Sequence, residues 1–272
     1  AVGSLSLTLT AVQNIVNAGT IISSGNLALI AGDSIVNAAS STRSSSLAVM
    51  QATGNLNLQA ANIVNAGLMA SSANINVAGQ MLANILISSS GGRFEAVSGA
   101  FNVRDNLFNQ KFDLSLVGGD ILSREVNLNS GKGKIDVNVG ELSGVVNLSA
   151  CEAHIQADTA DLRFGQVSLS GDPTFISSGN LVLPAAASAQ PYIAVAGGNI
   201  TVTPGFALDT SSSTAGGGSV FLIAGANATL SNGSVFVTGR SATGGDIDLN
   251  GIASINTASQ LATASGGDVT LL

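Results

Sequence analysis

The sequence of 272 residues contains no tryptophan and only one cysteine, one histidine and one tyrosine. A single cysteine, Cys151, excludes an internal disulfide and a zinc site built from several thiolates. The lone histidine, His154, is not accompanied by a nucleophile or a second metal ligand in a catalytic pattern, so we predict a surface histidine or one at the edge of a coil. Because no apolar run reaches the about 18 residues that a membrane helix requires, we also predict no membrane insertion.

Charged side chains are scarce as well, at 9% of the sequence, against about 25% in typical soluble domains. The net charge is −7 and the isoelectric point lies near 4.4. An acidic chain without a basic cluster is poorly suited to bind nucleic acid, so we predict no such partner. A positive mean hydropathy of +0.44, together with regularly spaced Val, Ile and Leu, argues against disorder.

A glycine-led phrase recurs between residues 198 and 271. One or two glycines precede a small polar residue, and an apolar–polar–apolar triplet follows. The glycines that open the phrase are Gly198, Gly218, Gly245 and Gly267, at spacings of 20, 27 and 22 residues. A turn followed by a short alternating strand predicts a parallel β-solenoid, and this spacing predicts one coil for each phrase.

Residues 1–92 carry a second phrase, typified by Asn-Ile-Val-Asn-Ala-Gly, which places Asn17, Asn37 and Asn65 in equivalent positions. A Gly-Asn-Leu-x-Leu phrase lies between its copies, so we expect two short strands in each repeat. Stacking would superpose the three asparagines, whose amides can hydrogen-bond along the stack as a ladder. Asparagine also tolerates the left-handed backbone of a sharp corner. The sequence leaves both roles open.

The chain divides by composition into three segments. Residues 1–92 carry the Asn-Ile-Val-Asn-Ala-Gly repeats, and residues 164–272 carry the Gly-Gly-Asp or Gly-Asn turn repeats. The segment between them, 93–163, holds 17 of the 25 charged residues. We predict that it continues the coils with charged loops, and the alternative is a small insertion packed on the solenoid.

Carboxylates in residues 93–163 keep an enzymatic alternative open. Glycoside hydrolysis needs two carboxylates on one face, about 5–9.5 Å apart. The nearest candidates are Asp113, Asp120, Asp158 and Asp161. Nothing in their spacing selects a pair, so we predict no catalytic residue, no cofactor and no metal site, and the alternative function is a β-helical enzyme acting on polysaccharides. An ice-binding solenoid would need a regular Thr-x-Thr array, which only Thr8–Thr10 and Thr201–Thr203 offer.

The repeated phrases resemble the haemagglutinin-type repeats of two-partner-secreted bacterial exoproteins, the filamentous haemagglutinin family. The resemblance rests on Gly-Asn-Leu-x-Leu, on Asn-Ile-Val-Asn-Ala-Gly followed by Thr20-Ile21 or Leu68-Met69, and on Gly-Gly-Asp-Ile-x-Leu. It covers residues 1–92 and 164–272, and 93–163 only loosely. The resemblance implies a right-handed parallel β-helix, passage across an outer membrane through a partner pore, and a surface-attached or released fibre used in adhesion.

The predicted fold class is therefore all-β, a parallel β-solenoid of about 11–13 coils. The predicted function is a structural segment of a bacterial extracellular or cell-surface fibre or adhesin, not an enzyme. We expect unpaired strand edges at the ends of the solenoid to permit end-to-end self-association. The charge-poor faces of Asn, Ser and Thr suit hydrogen bonding to a glycan or to a host or cell surface.

Overall fold

The computed structural model describes residues 4–38, 47–80, 83–104, 111–188, 190–231 and 233–272. These residues form 32 β-strands, and among them there is no helix long and apolar enough to cross a membrane. The chain separates into two compact units, Ala1–Gly144 and Val145–Leu272. Both units are built from parallel strands stacked coil on coil, so the predicted β-solenoid is confirmed.

In the first unit, the coils contribute short strands to three parallel sheets, which we name A, B and C. Sheet A contains β1 (Leu7–Ala11), β4 (Leu27–Ala31), β7 (Leu56–Gln59), β10 (Ile75–Ala78), β13 (Ala100–Arg104) and β16 (Glu125–Asn129). Sheet B contains β2 (Asn14–Asn17), β5 (Ser34–Asn37), β8 (Asn62–Asn65), β11 (Ile85–Ser89), β14 (Leu114–Val117) and β17 (Lys134–Val139). Sheet C contains β3 (Thr20–Ser23), β6 (Val49–Ala52), β9 (Leu68–Ser71), β12 (Arg93–Ala96) and β15 (Asp120–Leu122).

The register of these sheets stacks equivalent apolar side chains in the core. Side chains alternate between the two faces of a strand, so every second residue of each strand points inward. In sheet B the inward column consists of Ile15, Ile35, Ile63, Ile87, Leu116 and Val137. In sheet C it consists of Ile21, Met50, Met69, Phe94 and Ile121. Each fully buried aliphatic side chain stabilises the stack by about 1.5–3 kcal/mol.

Sheet C makes each complete coil of the first unit three-stranded, whereas we expected two strands in each repeat. Its strands span only three or four residues and share no common sequence, from Thr-Ile-Ile-Ser in β3 to Arg-Phe-Glu-Ala in β12. No repeated phrase therefore marks them. Strands β12, β13 and β14 pair in parallel with β9, β10 and β11, respectively. Residues 93–104 and 111–117 of the charge-rich segment therefore lie on coils.

The parallel strands of the second unit fall into three sets, which we name sheets D, E and F. Sheet D contains β18 (Val145–Ala150), β20 (Asp161–Leu169), β22 (Asn180–Leu183), β25 (Ile200–Val202) and β30 (Ile247–Asp248). Sheet E contains β19 (Glu152–Ala157), β21 (Pro173–Ser177), β24 (Tyr192–Ala196), β27 (Val220–Ala224) and β32 (Val269–Leu271). Sheet F contains β23 (Ala186–Ala187), β26 (Ala207–Asp209) and β31 (Ser254–Asn256).

The repeat length predicted for residues 198–271 is wrong. Gly198 and Gly245 precede neighbouring strands of sheet D, in which Ile200 pairs with Ile247. Gly218 and Gly267 precede neighbouring strands of sheet E. Two glycine-led phrases thus belong to each coil, because one phrase opens a strand of sheet D and the next opens a strand of sheet E.

An antiparallel hairpin, β28 (Ala226–Ser231) and β29 (Ser234–Arg240), enlarges the coil that runs from Ile200 to Ile247. It covers an apolar column of sheet E that includes Ile176 and Val195, against which Leu230 and Val235 of the hairpin pack. The Leu230 N–H donates a hydrogen bond to Gln156 Oε1 at 2.8 Å. The sequence pattern did not predict this hairpin, because its alternation resembles that of a coil strand.

Candidate functional site

The three asparagines singled out by the sequence form a buried hydrogen-bonded ladder in the first unit. Asn17 Nδ2 donates to Asn37 Oδ1 at 2.8 Å, and Asn37 Nδ2 donates to Asn65 Oδ1 at 2.9 Å. All three side chains are buried, with Asn37 and Asn65 at 0% exposure. Because each residue ends a strand of sheet B, the ladder follows the corner that leads to sheet C.

The same amides also fix that corner within and between coils. The backbone N–H of Gly19 donates to Asn17 Oδ1, and that of Gly67 donates to Asn65 Oδ1, both at 3.1 Å. Asn37 Nδ2 also lies 3.1 Å from the Leu68 carbonyl, at the start of the next strand of sheet C. The asparagines therefore close a local turn and join successive coils at once.

A second set of contacts explains the Gly-Asn phrase. In each phrase the asparagine side chain accepts a hydrogen bond from the backbone N–H at the equivalent position of the following coil. Asn26 Oδ1 accepts from Asn55 N at 2.8 Å, and Asn180 Oδ1 accepts from Asn199 N at 2.9 Å. We call each of these hydrogen bonds a clip, because it connects two neighbouring coils at the start of a strand.

The glycines of the phrase are required because the chain of a neighbouring coil passes close to them. A Cβ atom on Gly198 would lie 2.4 Å from Asn180 Oδ1, and one on Gly245 would lie 2.1 Å from the Gly198 carbonyl oxygen. Gly218 and Gly267 are equally close to neighbouring carbonyl oxygens, at 2.4 and 2.2 Å. At Gly218, Gly245 and Gly267 the close atom belongs to the backbone, so a Cβ there would force the chain to shift, whereas at Gly198 the side chain of Asn180 would have to move.

A second ladder, which the sequence analysis missed, lies on the outward face of sheet A. Its four asparagines occupy one column of the register, and the Nδ2 of each of the last three donates to the Oδ1 of the preceding one at 2.8 Å. The members are Asn57, Asn76, Asn102 and Asn127. Their equal positions within the apolar–polar–apolar triplets were the signal that could have revealed this ladder.

The outward ladder ends at a groove in the first unit. The residue beside Asn57 in the preceding coil is Ala28, which has no side-chain acceptor. A groove of about 220 Å³ opens there, and Ala28, Ile30 and Ala78 contribute apolar surface to it. Polar groups are supplied by Asn57, Asn76, Gln59 and Arg104. None of the described residues that line this groove is acidic.

Three of the four candidate carboxylates accept hydrogen bonds from a neighbouring coil. Asp113 Oδ1 accepts from Lys134 N at 3.0 Å, and Asp120 Oδ1 accepts from Glu141 N at 2.9 Å. These contacts repeat the coil-to-coil clip of the Gly-Asn phrase, at strands of sheets B and C. Asp161 on sheet D accepts from Asn180 Nδ2 at 2.9 Å, and Asp158 is exposed. Within the described ranges, no cluster of three His, Cys, Asp or Glu side chains could hold a metal ion.

Two titratable groups have shifted pKa values, and each shift has a local cause. Burial raises the pKa of the Tyr192 hydroxyl far above its ordinary value. That hydroxyl has no hydrogen-bond partner among the described residues, and its ring packs edge-on against Phe175 at 5.8 Å. The exposed Asp209 has its pKa lowered by hydrogen bonds from the side chain and the backbone N–H of Ser211. Neither group lies at the groove.

His154 on β19 has a mostly buried side chain and lies near Gly233, which precedes β29. Its Nε2 is 3.9 Å from Asp172 Oδ2. The nearest atom to a Cβ placed on Gly233 would be His154 Cε1, at 3.9 Å.

Comparisons of the chain with protein-family models, with curated proteins and with solved structures find no match.

Proposed function

We propose that this chain is a structural segment of an extracellular or cell-surface fibre or adhesin of a bacterium. The observation that carries the proposal is the use of polar side chains to join one coil to the next. The buried ladder, the outward ladder and the Gly-Asn clips all connect neighbouring coils at intervals of about 4.8 Å. A repeat protein reinforced along its stacking direction resists pulling and local fraying.

The placement of the carboxylates supports a structural role in preference to catalysis. A catalytic pair must be free to face a substrate, whereas Asp113 and Asp120 accept hydrogen bonds from the backbone of the next coil. The resemblance of the repeats to two-partner-secreted exoproteins favours an extracellular location. End-to-end association of solenoids belongs to the same proposal and would lengthen the fibre without new contacts on the faces.

Immunogold electron microscopy of intact producing cells tests the location and the fibre together. Antibodies raised against the purified chain are expected to label projections outside the cell envelope without permeabilisation. Labelling found only after permeabilisation would contradict the proposal. Imaging of the purified chain over a range of concentrations tests association separately, because end-to-end stacking predicts rods whose length increases with concentration.

A further inference from the structure

The groove on the outward face of sheet A combines features that the structural role does not use. We propose that it binds a carboxylated saccharide, with Arg104 pairing with the carboxylate and the amides of Asn57 and Gln59 contacting hydroxyl groups. This binding site goes beyond the proposed fibre function, since stacking of coils requires none of its free polar groups.

The first step in the argument is the free donor at the end of the outward ladder. Each amide in the column donates to its preceding neighbour, so Asn57 accepts from Asn76 but has no acceptor for its own Nδ2. The register places Ala28 where the next acceptor would be. Asn57 thus presents its Nδ2 amino group to the groove, and the bond that its Oδ1 accepts from Asn76 holds the amide in orientation.

The second step concerns the neighbouring column of the same sheet. Ile30, Gln59, Ala78 and Arg104 follow one another in register there. The side chains of Gln59 and Arg104 have no hydrogen-bond or ion-pair partner among the described residues. The Arg104 guanidinium has no carboxylate partner among the described residues, and none of the described residues lining the groove is acidic, which favours an anionic ligand in an otherwise acidic chain.

The third step compares the size and surface of the groove with those of a sugar ring. A volume of about 220 Å³ is below the roughly 300–1,000 Å³ of pockets for drug-sized ligands. It therefore suits one sugar ring rather than a large aromatic molecule. Ala28, Ile30 and Ala78 offer apolar contact to the C–H face of such a ring, while the amides and the guanidinium supply directional donors.

Calorimetric titration with a galacturonate disaccharide tests this site, with its methyl ester as the matched ligand of nearly equal size. The acid form is expected to bind about tenfold or more tightly than the ester, because only the acid offers a charged partner to Arg104. Arg104→Gln is expected to weaken binding about tenfold to a hundredfold. Gln59→Ala is expected to weaken it by a smaller factor.

Arg124→Gln is the matched control, because Arg124 is also exposed in the first unit but does not line the groove. Binding equal to that of the unchanged chain is expected. Equal loss in the Arg104 and Arg124 variants, equal affinity for acid and ester, or no binding at about 10 mM ligand would overturn the proposal. None of these results bears on the fibre proposal, which rests on the location and imaging of the chain.

Discussion

The buried asparagine ladder makes a quantitative prediction about Asn37, its central member. Asn37→Ala removes the bond from Asn17 and the bond to Asn65, at 2.8 and 2.9 Å, and the contact with the Leu68 carbonyl. Each lost bond costs about 0.5–1.5 kcal/mol, and a buried group left without a partner adds to the loss. With Asn37 at 0% exposure, water does not replace these bonds without rearrangement. We expect a loss of about 3–5 kcal/mol in the free energy of unfolding.

Asn76→Ala in the outward ladder is the matched control. Asn76 also loses two side-chain bonds, to Asn57 and from Asn102. It is only half-buried, so water can reach the groups left behind, and we expect a loss of about 1 kcal/mol or less. Urea unfolding followed by circular dichroism measures both values. Hydrogen exchange shows whether the loss spreads from the corner, as expected for a repeat protein. Equal losses in the two variants would refute the reasoning.

Asn37→Asp adds a pH test of the same ladder. The carboxylate keeps the bond from Asn17 but faces the oxygens of Asn65 and Leu68 without a donor. Burial and these acceptors raise the pKa of the carboxyl in the folded chain above its unfolded value of about 3.9. The folded chain then binds more protons than the unfolded chain, so the variant's stability falls as the pH rises through that interval. Urea midpoints that do not change between pH 4 and pH 7 would contradict this.

Three further predictions concern the second unit. Tyr192→Phe is expected to stabilise the chain by about 1–2 kcal/mol in urea unfolding, because it removes a buried hydroxyl that has no partner. As burial raises the pKa of this only tyrosine, stability is lost as the pH rises above about 10, and tyrosinate absorbance should appear only with unfolding. Gly198→Ala is expected to cost about 2–3 kcal/mol, since its Cβ would displace the side chain of Asn180. Leu230→Asp is expected to release the hairpin and to increase its rate of proteolysis, with a loss of about 2 kcal/mol.

Matched variants give two of these predictions a reference. Gly239→Ala has open space around its new Cβ, so its effect should stay within about 0.5 kcal/mol. Thr229→Asp lies on the outward face of the hairpin and should leave its proteolysis unchanged. A Tyr192→Phe variant that is less stable than the unchanged chain would indicate that the hydroxyl has a partner. If Gly239→Ala cost as much as Gly198→Ala, the close approach would not explain the glycine.

Local sequence determined the architecture. Alternation with a period of two places apolar residues on one face, and the Gly-Asn phrase marks where a strand can begin, so a parallel solenoid followed from residues close together in the chain. The same reasoning aligned Asn17, Asn37 and Asn65, because identical phrases stack in identical positions. Four glycines were identified as turn residues for a related reason, although the physical cause is the close approach of the next coil.

Only the tertiary structure decided the remaining features, because they depend on register between residues far apart in sequence. Sheet C has no repeated phrase, and the hairpin resembles a coil strand until its antiparallel partner is known. A coil of 47 residues, from Ile200 to Ile247, is not visible from the spacing of the glycines. The groove arises because Ala28 lies beside Asn57 and Arg104 beside Ala78, and these neighbours are set by the stacking of coils and not by the chain.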